Sequence, residues 1–182
     1  MKKTDIKRIA VLGVLTALSV VLVMLIHFPL IPAAAFLEYD PADIPIYIST
    51  FLYGPVSGLL ITVVVSLVQG LTVSSASGLY GILMHIISTG TFVLTAGMVY
   101  RIGKKKFLSL PLSLVIGVIV TTAMMIPANL IITPLFMGTP VEVVKSMLIP
   151  AIIPFNLFKQ CINAVITGVL YVPLMAAVKK WI

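Results

Sequence analysis

Hydrophobic residues run along this chain in five long stretches, at 9–28, 44–71, 78–100, 107–132 and 147–178, separated by short polar or proline-bearing segments. A helix needs roughly 20 apolar residues to cross the hydrocarbon core of a bilayer. Each stretch meets that length, so the pattern predicts a bundle of membrane-spanning helices in a single domain.

Composition strengthens this reading. Of 182 residues, 60% are hydrophobic and 9% are charged, against about 25% charged in a typical soluble domain. Length allows five to seven spans at roughly 20 residues each. The first stretch also has the look of a signal peptide, with basic residues before it and Ala33, Ala34 and Ala35 after it. Its apolar run is longer than a usual signal core, and it is read as the first span.

The net charge of +7 is concentrated in three places. Lys2, Lys3, Lys7 and Arg8 precede the first stretch, Arg101, Lys104, Lys105 and Lys106 follow the third, and Lys179 and Lys180 end the last. Basic residues flanking apolar spans mark cytoplasmic loops. No basic amphipathic element is present to carry a nucleic acid. Cys161 is the only cysteine, so no disulfide framework is possible.

If all three basic clusters are cytoplasmic, an even number of spans must separate them. Two spans lie between Lys106 and Lys179, but three lie between Arg8 and Arg101. The stretch 44–71 contains Gly54-Pro55, and proline disfavours helical geometry in the residue before it. Splitting there predicts helices at about 9–28, 42–53, 55–71, 78–100, 107–132 and 147–178, with both termini cytoplasmic. The alternative is one tilted helix and five spans. On the six-span reading, segments 29–43, 73–77 and 134–146 face outward.

Polar side chains inside a span are expensive and mark sites. Asn156, Lys159, Gln160, Asn163 and Thr167 recur at helical spacing and form one stripe. Lys159 is the only charge in the interior of any predicted span; it serves as a ligand contact, or it snorkels or pairs with an acidic loop residue. Asn129 follows Pro127 at a similar depth, where it binds substrate or supports irregular backbone. Tyr80 and Met84, four apart, share a face of the fourth helix; for the adjacent His85 a structural role is expected and metal binding is not. Asp43 is positioned to cap the second helix. Phe36, Leu37 and Tyr39 lie on an exterior loop, where large apolar groups are expected to cover something, such as a flat aromatic ligand. Ala10, Gly13 and Ala17 share one face of the first helix, either for packing inside the bundle or for docking another membrane subunit.

The sequence carries no phosphate-binding loop. Its nearest approach, Gly97 to Lys105, has the wrong spacing and lacks the Ser or Thr. No carboxylate pair lies within a span, so no intramembrane aspartyl or metal protease is expected, and no enzyme. Any ATP coupling must come from a partner.

Four segments carry a family resemblance: residues 36–45, from Phe36 through Tyr39, Asp40 and Pro41 to Pro45; the turn Gly54-Pro55 with Gly58; Gly81 to His85; and Pro154 to Lys159. Together they resemble the substrate-binding S component of energy-coupling-factor (ECF) vitamin transporters, and within it the riboflavin-specific type. The resemblance implies an all-α integral membrane protein with six spanning helices and a long first outer loop acting as a lid. It implies a plasma-membrane protein of a prokaryote that binds riboflavin from outside. The implied partners are a membrane T subunit, two cytoplasmic ATPase subunits and lipid, and riboflavin is a transported ligand rather than a resident cofactor. Asn129, Asn156 and Lys159 match flavin-bonding positions, with Asn163 on the same stripe. Leu37, Tyr39 and Asp40 match the closing loop, with Tyr80 and Met84 as further wall residues. Ala10, Gly13 and Ala17 match the docking face, although Gly13 and Val14 stand where alanine is common. Another vitamin, or a self-sufficient facilitator or channel, is the alternative reading.

Overall fold

The computed structural model describes residues 3–103 and 109–181. Lys2, Lys104, Lys105, Lys106 and the predicted start of the fifth helix at Phe107 lie outside the described residues. The chain is almost wholly helical: α1 (Lys3–Leu25), α2 (Asp43–Tyr53), α3 (Pro55–Leu71), α4 (Gly78–Ile102), α5 (Ser109–Met137), α6 (Val141–Met147) and α7 (Ile153–Trp181). Between α1 and α2 the chain makes a short antiparallel pairing of β1 (Phe28–Pro29) with β2 (Glu38–Tyr39).

Four segments, Asp5–Leu25, Ser75–Ile102, Ser109–Met137 and Val141–Val178, are long and apolar enough to cross a membrane, and the shorter Pro55–Leu71 is also apolar. Their outward faces carry large apolar residues such as Leu60, Leu83, Ile119, Ile131 and Val169. Contiguous exposed apolar surface on this scale suits a lipid environment, not water.

The break expected at Gly54-Pro55 is present. Gly54 takes φ 101°, a left-handed conformation that favours glycine, and Pro55 starts α3 where its missing N–H costs nothing. Gly58 then lets α3 lie against α2, because a Cβ there would sit 1.9 Å from Thr50 Oγ1. The glycines and proline of this turn thus set the close approach of two helices too short to be held by length alone. Arg8 fastens α1 to the same elbow: its guanidinium donates to Ser57 Oγ at 2.7 Å and lies over the Tyr53 ring.

Three helices depart from their expected bounds. α1 runs Lys3–Leu25 rather than 9–28, because the basic first turns continue the helix and the chain leaves it before Phe28-Pro29. α5 continues through Pro134 to Met137, five residues past the predicted end; proline within a membrane helix is tolerated where neighbours and side chains re-satisfy the backbone. The last predicted helix does not run straight from 147. Residues 141–147 form α6, Leu148–Ile152 widen into a π turn, and α7 begins at Ile153. Pro150 and Pro154 remove two backbone donors here, which prevents a continuous ladder.

The core is aromatic. Tyr47 of α2 stacks on Phe92 of α4 at 3.8 Å between centroids. Phe51 meets the edges of Tyr100 and Tyr171, whose hydroxyls lie 3.1 Å apart. Tyr171 also donates to the Phe51 carbonyl at 3.3 Å. A second cluster, of Ala34, Leu37, Val144, Ala151, Ile152 and Phe155, presses the first loop onto α6 and α7. The folded loop therefore has its own hydrophobic anchor.

Candidate functional site

Beneath that loop lies a cavity walled by α3, α4, α5 and α7. Phe36, Leu37, Glu38 and Asp40 roof it. Ser66 and Gln69 of α3, Tyr80, Met84 and His85 of α4, Asn129 and Phe136 of α5, and Phe155, Asn156 and Lys159 of α7 line it. Phe136 lies 6.3 Å from the Phe36 ring and 6.0 Å from the Tyr80 ring, so three aromatic rings from three segments share one side. A concave apolar pocket with a few placed polar groups is the usual form of a small-molecule site.

The amides are oriented by their own helices. Asn129 Nδ2 donates to the Met125 carbonyl at 2.7 Å and its Oδ1 accepts from Thr133 at 2.9 Å. Asn156 Nδ2 donates to the Ile152 carbonyl at 2.8 Å. An amide nitrogen carries two hydrogens, so each asparagine keeps one donor available.

Lys159 is both a lining residue and a paired one. Its Nζ lies 2.8 Å from Asp40 Oδ2, with both side chains buried. The pairing with an acidic loop residue, one of the roles open to it, is thus realised across the cavity wall. Asp40 is held further by the Ala42 N–H, which donates to Oδ1 at 3.1 Å. A buried pair of this kind persists only when the remaining lone pairs are also satisfied.

Seven of the nine substrate-site residues anticipated from sequence line the cavity: Leu37, Asp40, Tyr80, Met84, Asn129, Asn156 and Lys159. Tyr39 and Asn163 do not. Tyr39 donates to Asn163 Oδ1 at 3.1 Å, and Asn163 Nδ2 reaches the Asp40 carbonyl and Asp43 Oδ2, each at 3.3 Å. The two hold the loop down from below. Burial, with Asp40 close by, raises the Tyr39 hydroxyl above its ordinary pKa, and Lys159 partly opposes this. The hydroxyl therefore stays protonated at neutral pH and remains the donor.

Asp43 is not the cap expected of it. Ala42 occupies the cap position and no side chain caps α2. The Asp43 carboxylate instead accepts from Thr89 Oγ1 at 2.7 Å and lies 3.1 Å from His85 Nε2. Asp43 sits inside the first turn of α2 and points across to α4. His85 Nδ1 is 2.7 Å from Ser66 Oγ, which ties α3 into the same network. His85 thus has the structural partners expected for it, yet it also faces the cavity. Among the described residues no group of His, Cys, Asp or Glu could hold a metal ion.

Gln69, Phe136 and Phe155 escaped sequence reasoning. Gln69 carried a usable signal, a lone amide near the C-terminal end of an apolar helix. Phe136 and Phe155 carried none, because an aromatic residue in a membrane helix is unremarkable until its neighbours are known.

Ala10, Gly13 and Ala17 are all exposed. They do not pack inside the bundle. Ala10 and Val14 border an apolar groove closed by Ile48 and Leu52 of α2 and Leu174 and Val178 of α7.

A helical membrane bundle with a roofed, mostly apolar cavity is the architecture of a membrane binding subunit. Residues 7–171 match the family of the substrate-specific component of ECF transporters, and the chain belongs to that family. It is a membrane transporter component rather than an enzyme. Two relatives are the "Riboflavin transporter FmnP" of Bacillus subtilis (strain 168), 27% identical over 97% of this chain and 94% of that one, and the "Riboflavin transporter RibU" of Staphylococcus aureus (strain TCH60), 28% identical over 91% and 88%. A solved structure titled "Structure and mechanism of the S component of a bacterial ECF transporter" superposes with a TM-score of 0.81 at 29% identity, covering 96% of this chain and 99% of that chain.

Proposed function

We propose that the protein is the riboflavin-binding S component of an ATP-driven ECF uptake transporter in the plasma membrane of a bacterium. The cavity beneath the first loop carries this reading. Its aromatic side, formed by Phe36, Tyr80 and Phe136, suits the flat isoalloxazine faces, and the free N–H groups of Asn129 and Asn156 suit its carbonyl edge. Both named relatives are riboflavin transporters.

In this reading α1, α2, α3, α4, α5 and α7 all span the membrane, with α2 shielded by its neighbours, and both termini are cytoplasmic. Loop 26–42 is a lid over an outward-facing site. The exposed face of Ala10, Gly13 and Ala17 docks a membrane T subunit, and two cytoplasmic ATPases hydrolyse the ATP. In this reading the S component contributes binding alone.

The test is an absorbance spectrum and a riboflavin titration of the purified chain in detergent. A visible flavin band, or saturable quenching of riboflavin fluorescence, is expected. A protein that is colourless and leaves riboflavin fluorescence unchanged overturns the reading.

A further inference from the structure

Gln69 stands near the C-terminal end of α3, is 9% exposed and lines the cavity. Its Nε2 lies 3.5 Å from Asp40 Oδ2 and 3.5 Å from Ser74 Oγ. An ionised carboxylate only accepts hydrogen bonds, so the amide turns its N–H end toward Asp40 and its carbonyl away. The resulting Oε1 is buried and has no hydrogen-bond partner among the described residues. Buried carbonyls left unpaired are uncommon in folded proteins, and each calls for an explanation. On the wall of a binding cavity, the explanation is a donor that arrives with the ligand.

The surroundings say which kind of donor. Ser74 Oγ donates to Glu38 Oε2 at 3.1 Å, so its hydrogen is already committed. Asp40 is already taken up by Lys159 and the Ala42 N–H, so where α3 meets the first loop the acceptors left are Gln69 Oε1, the Glu38 carboxylate and the lone pairs of Ser74. The α5 and α7 side instead presents the spare amide hydrogens of Asn129 and Asn156. Riboflavin has the same polarity. The edge of its ring system offers mostly acceptors and a single N–H, while its ribityl chain is a row of hydroxyl donors.

We propose that Gln69 is a specificity residue whose Oε1 accepts from the ribityl hydroxyls, so that the polyol chain lies along the α3 wall under Glu38 while the ring edge faces Asn129 and Asn156. This rests on the riboflavin reading above and adds the direction in which the vitamin lies. The preference for a polyol-bearing flavin over a bare ring is set at α3.

Lumiflavin, the same ring system with a methyl group in place of the ribityl chain, separates the two walls. The full chain in detergent is titrated with riboflavin and with lumiflavin by fluorescence quenching. Gln69→Met keeps the length and burial of the side chain and removes the carbonyl. Its Kd for riboflavin is expected to rise about tenfold, while its Kd for lumiflavin changes by less than about twofold; retained lumiflavin binding also shows that the variant is folded. Gln69→Asn, which withdraws the carbonyl by a methylene, gives the same selective loss and decides the matter should the Met variant not be recovered folded. Equal weakening of both flavins, or no weakening of riboflavin, overturns the assignment. Wild-type protein that binds neither flavin overturns the functional reading itself and the assignment with it. Wild-type protein that binds both, with riboflavin affinity insensitive to Gln69, overturns the assignment alone.

Discussion

α7 buries Asn156, Lys159, Gln160, Asn163 and Thr167 along one stripe, whereas α1 buries Leu15, Ser19 and Val23 and turns Ala10, Gly13 and Ala17 outward. Both are long helices in an apolar chain, and hydropathy alone would place either one anywhere in the bundle. In lipid, apolar contact between helices is not driven by exclusion of water, so an apolar helix gains little by burial. A polar side chain gains a great deal, because it has no partner in hydrocarbon. The polar stripe therefore pulls α7 into the centre, against α2, α4 and the first loop. α1, whose only polar side chains beyond Arg8 are Thr16 and Ser19, stays at the edge, with its small residues exposed.

The sharpest way to break this contrast is at Lys159. Lys159→Met leaves Asp40 buried without its cation, which costs about 3–5 kcal/mol for such pairs. Riboflavin affinity is expected to fall by at least about a hundredfold, and the thermal midpoint in detergent should drop, as followed by titration and by unfolding scans. Asp40→Asn combined with Lys159→Met removes both charges and should recover part of the stability. Double-variant stability no better than that of Lys159→Met alone would show that the pair is not the source of the effect.

A smaller effect is expected at the amides. Asn156→Ala removes the donor that the proposed function gives to the ring edge and should weaken riboflavin by about tenfold, near the worth of a hydrogen bond made in a dry site. The matching change on the other helix, Ala17→Leu, should leave binding within about twofold of wild type, since the residue faces away from the cavity. Its effect should appear only in riboflavin uptake by cells that also contain the partner subunits. Weakened binding by the isolated Ala17→Leu variant would erase the distinction between the two helices.

The smallest expected effect refines the stripe itself. Thr167 is buried, and its hydroxyl has no partner among the described residues. Replacing an unpaired buried hydroxyl by a methyl of similar shape is nearly neutral or stabilising. Thr167→Val should shift stability by less than about 1 kcal/mol and leave riboflavin titrations unchanged. Tyr47→Phe differs, because the Tyr47 hydroxyl is hydrogen-bonded to Gln160 Oε1, and Gln160 in turn donates to Ser88 Oγ at 3.1 Å. That loss should cost about 1 kcal/mol, measured as a lowered unfolding midpoint. Equal effects of the two substitutions would mean that the stripe does not act through its hydrogen bonds.

Much of the site was legible before the fold was known. Lys159 and the asparagines are conspicuous because polar atoms in an apolar helix have few explanations, and Leu37 and Asp40 are conspicuous because bulky and acidic residues share one short loop. The bilayer magnifies such signals by making every polar group costly. Asp43 was misjudged for the opposite reason. Its position before Pro45 at a helix start satisfies a local rule for capping, and a local rule cannot register that Thr89 and His85, more than 40 residues on, offer better partners. Asn163 was placed on the polar stripe and assigned to the ligand; in the structure its amide bonds Tyr39, the Asp40 carbonyl and Asp43.

The sequence by itself determined that the chain is a helical membrane bundle, where α2 and α3 part, and which helix carries the polar stripe. Those properties follow from short-range causes: apolar run length, the conformational freedom of Gly54, and the spacing of polar residues around a helix. Only the tertiary structure decided that Lys159 meets Asp40, that Tyr39 and Asn163 support the lid from beneath, that Phe36, Tyr80 and Phe136 converge, and that Gln69 turns an unpaired carbonyl away from Asp40. Each of these joins residues far apart in the chain, and their meeting depends on how helices rotate and tilt against one another, which no local pattern specifies.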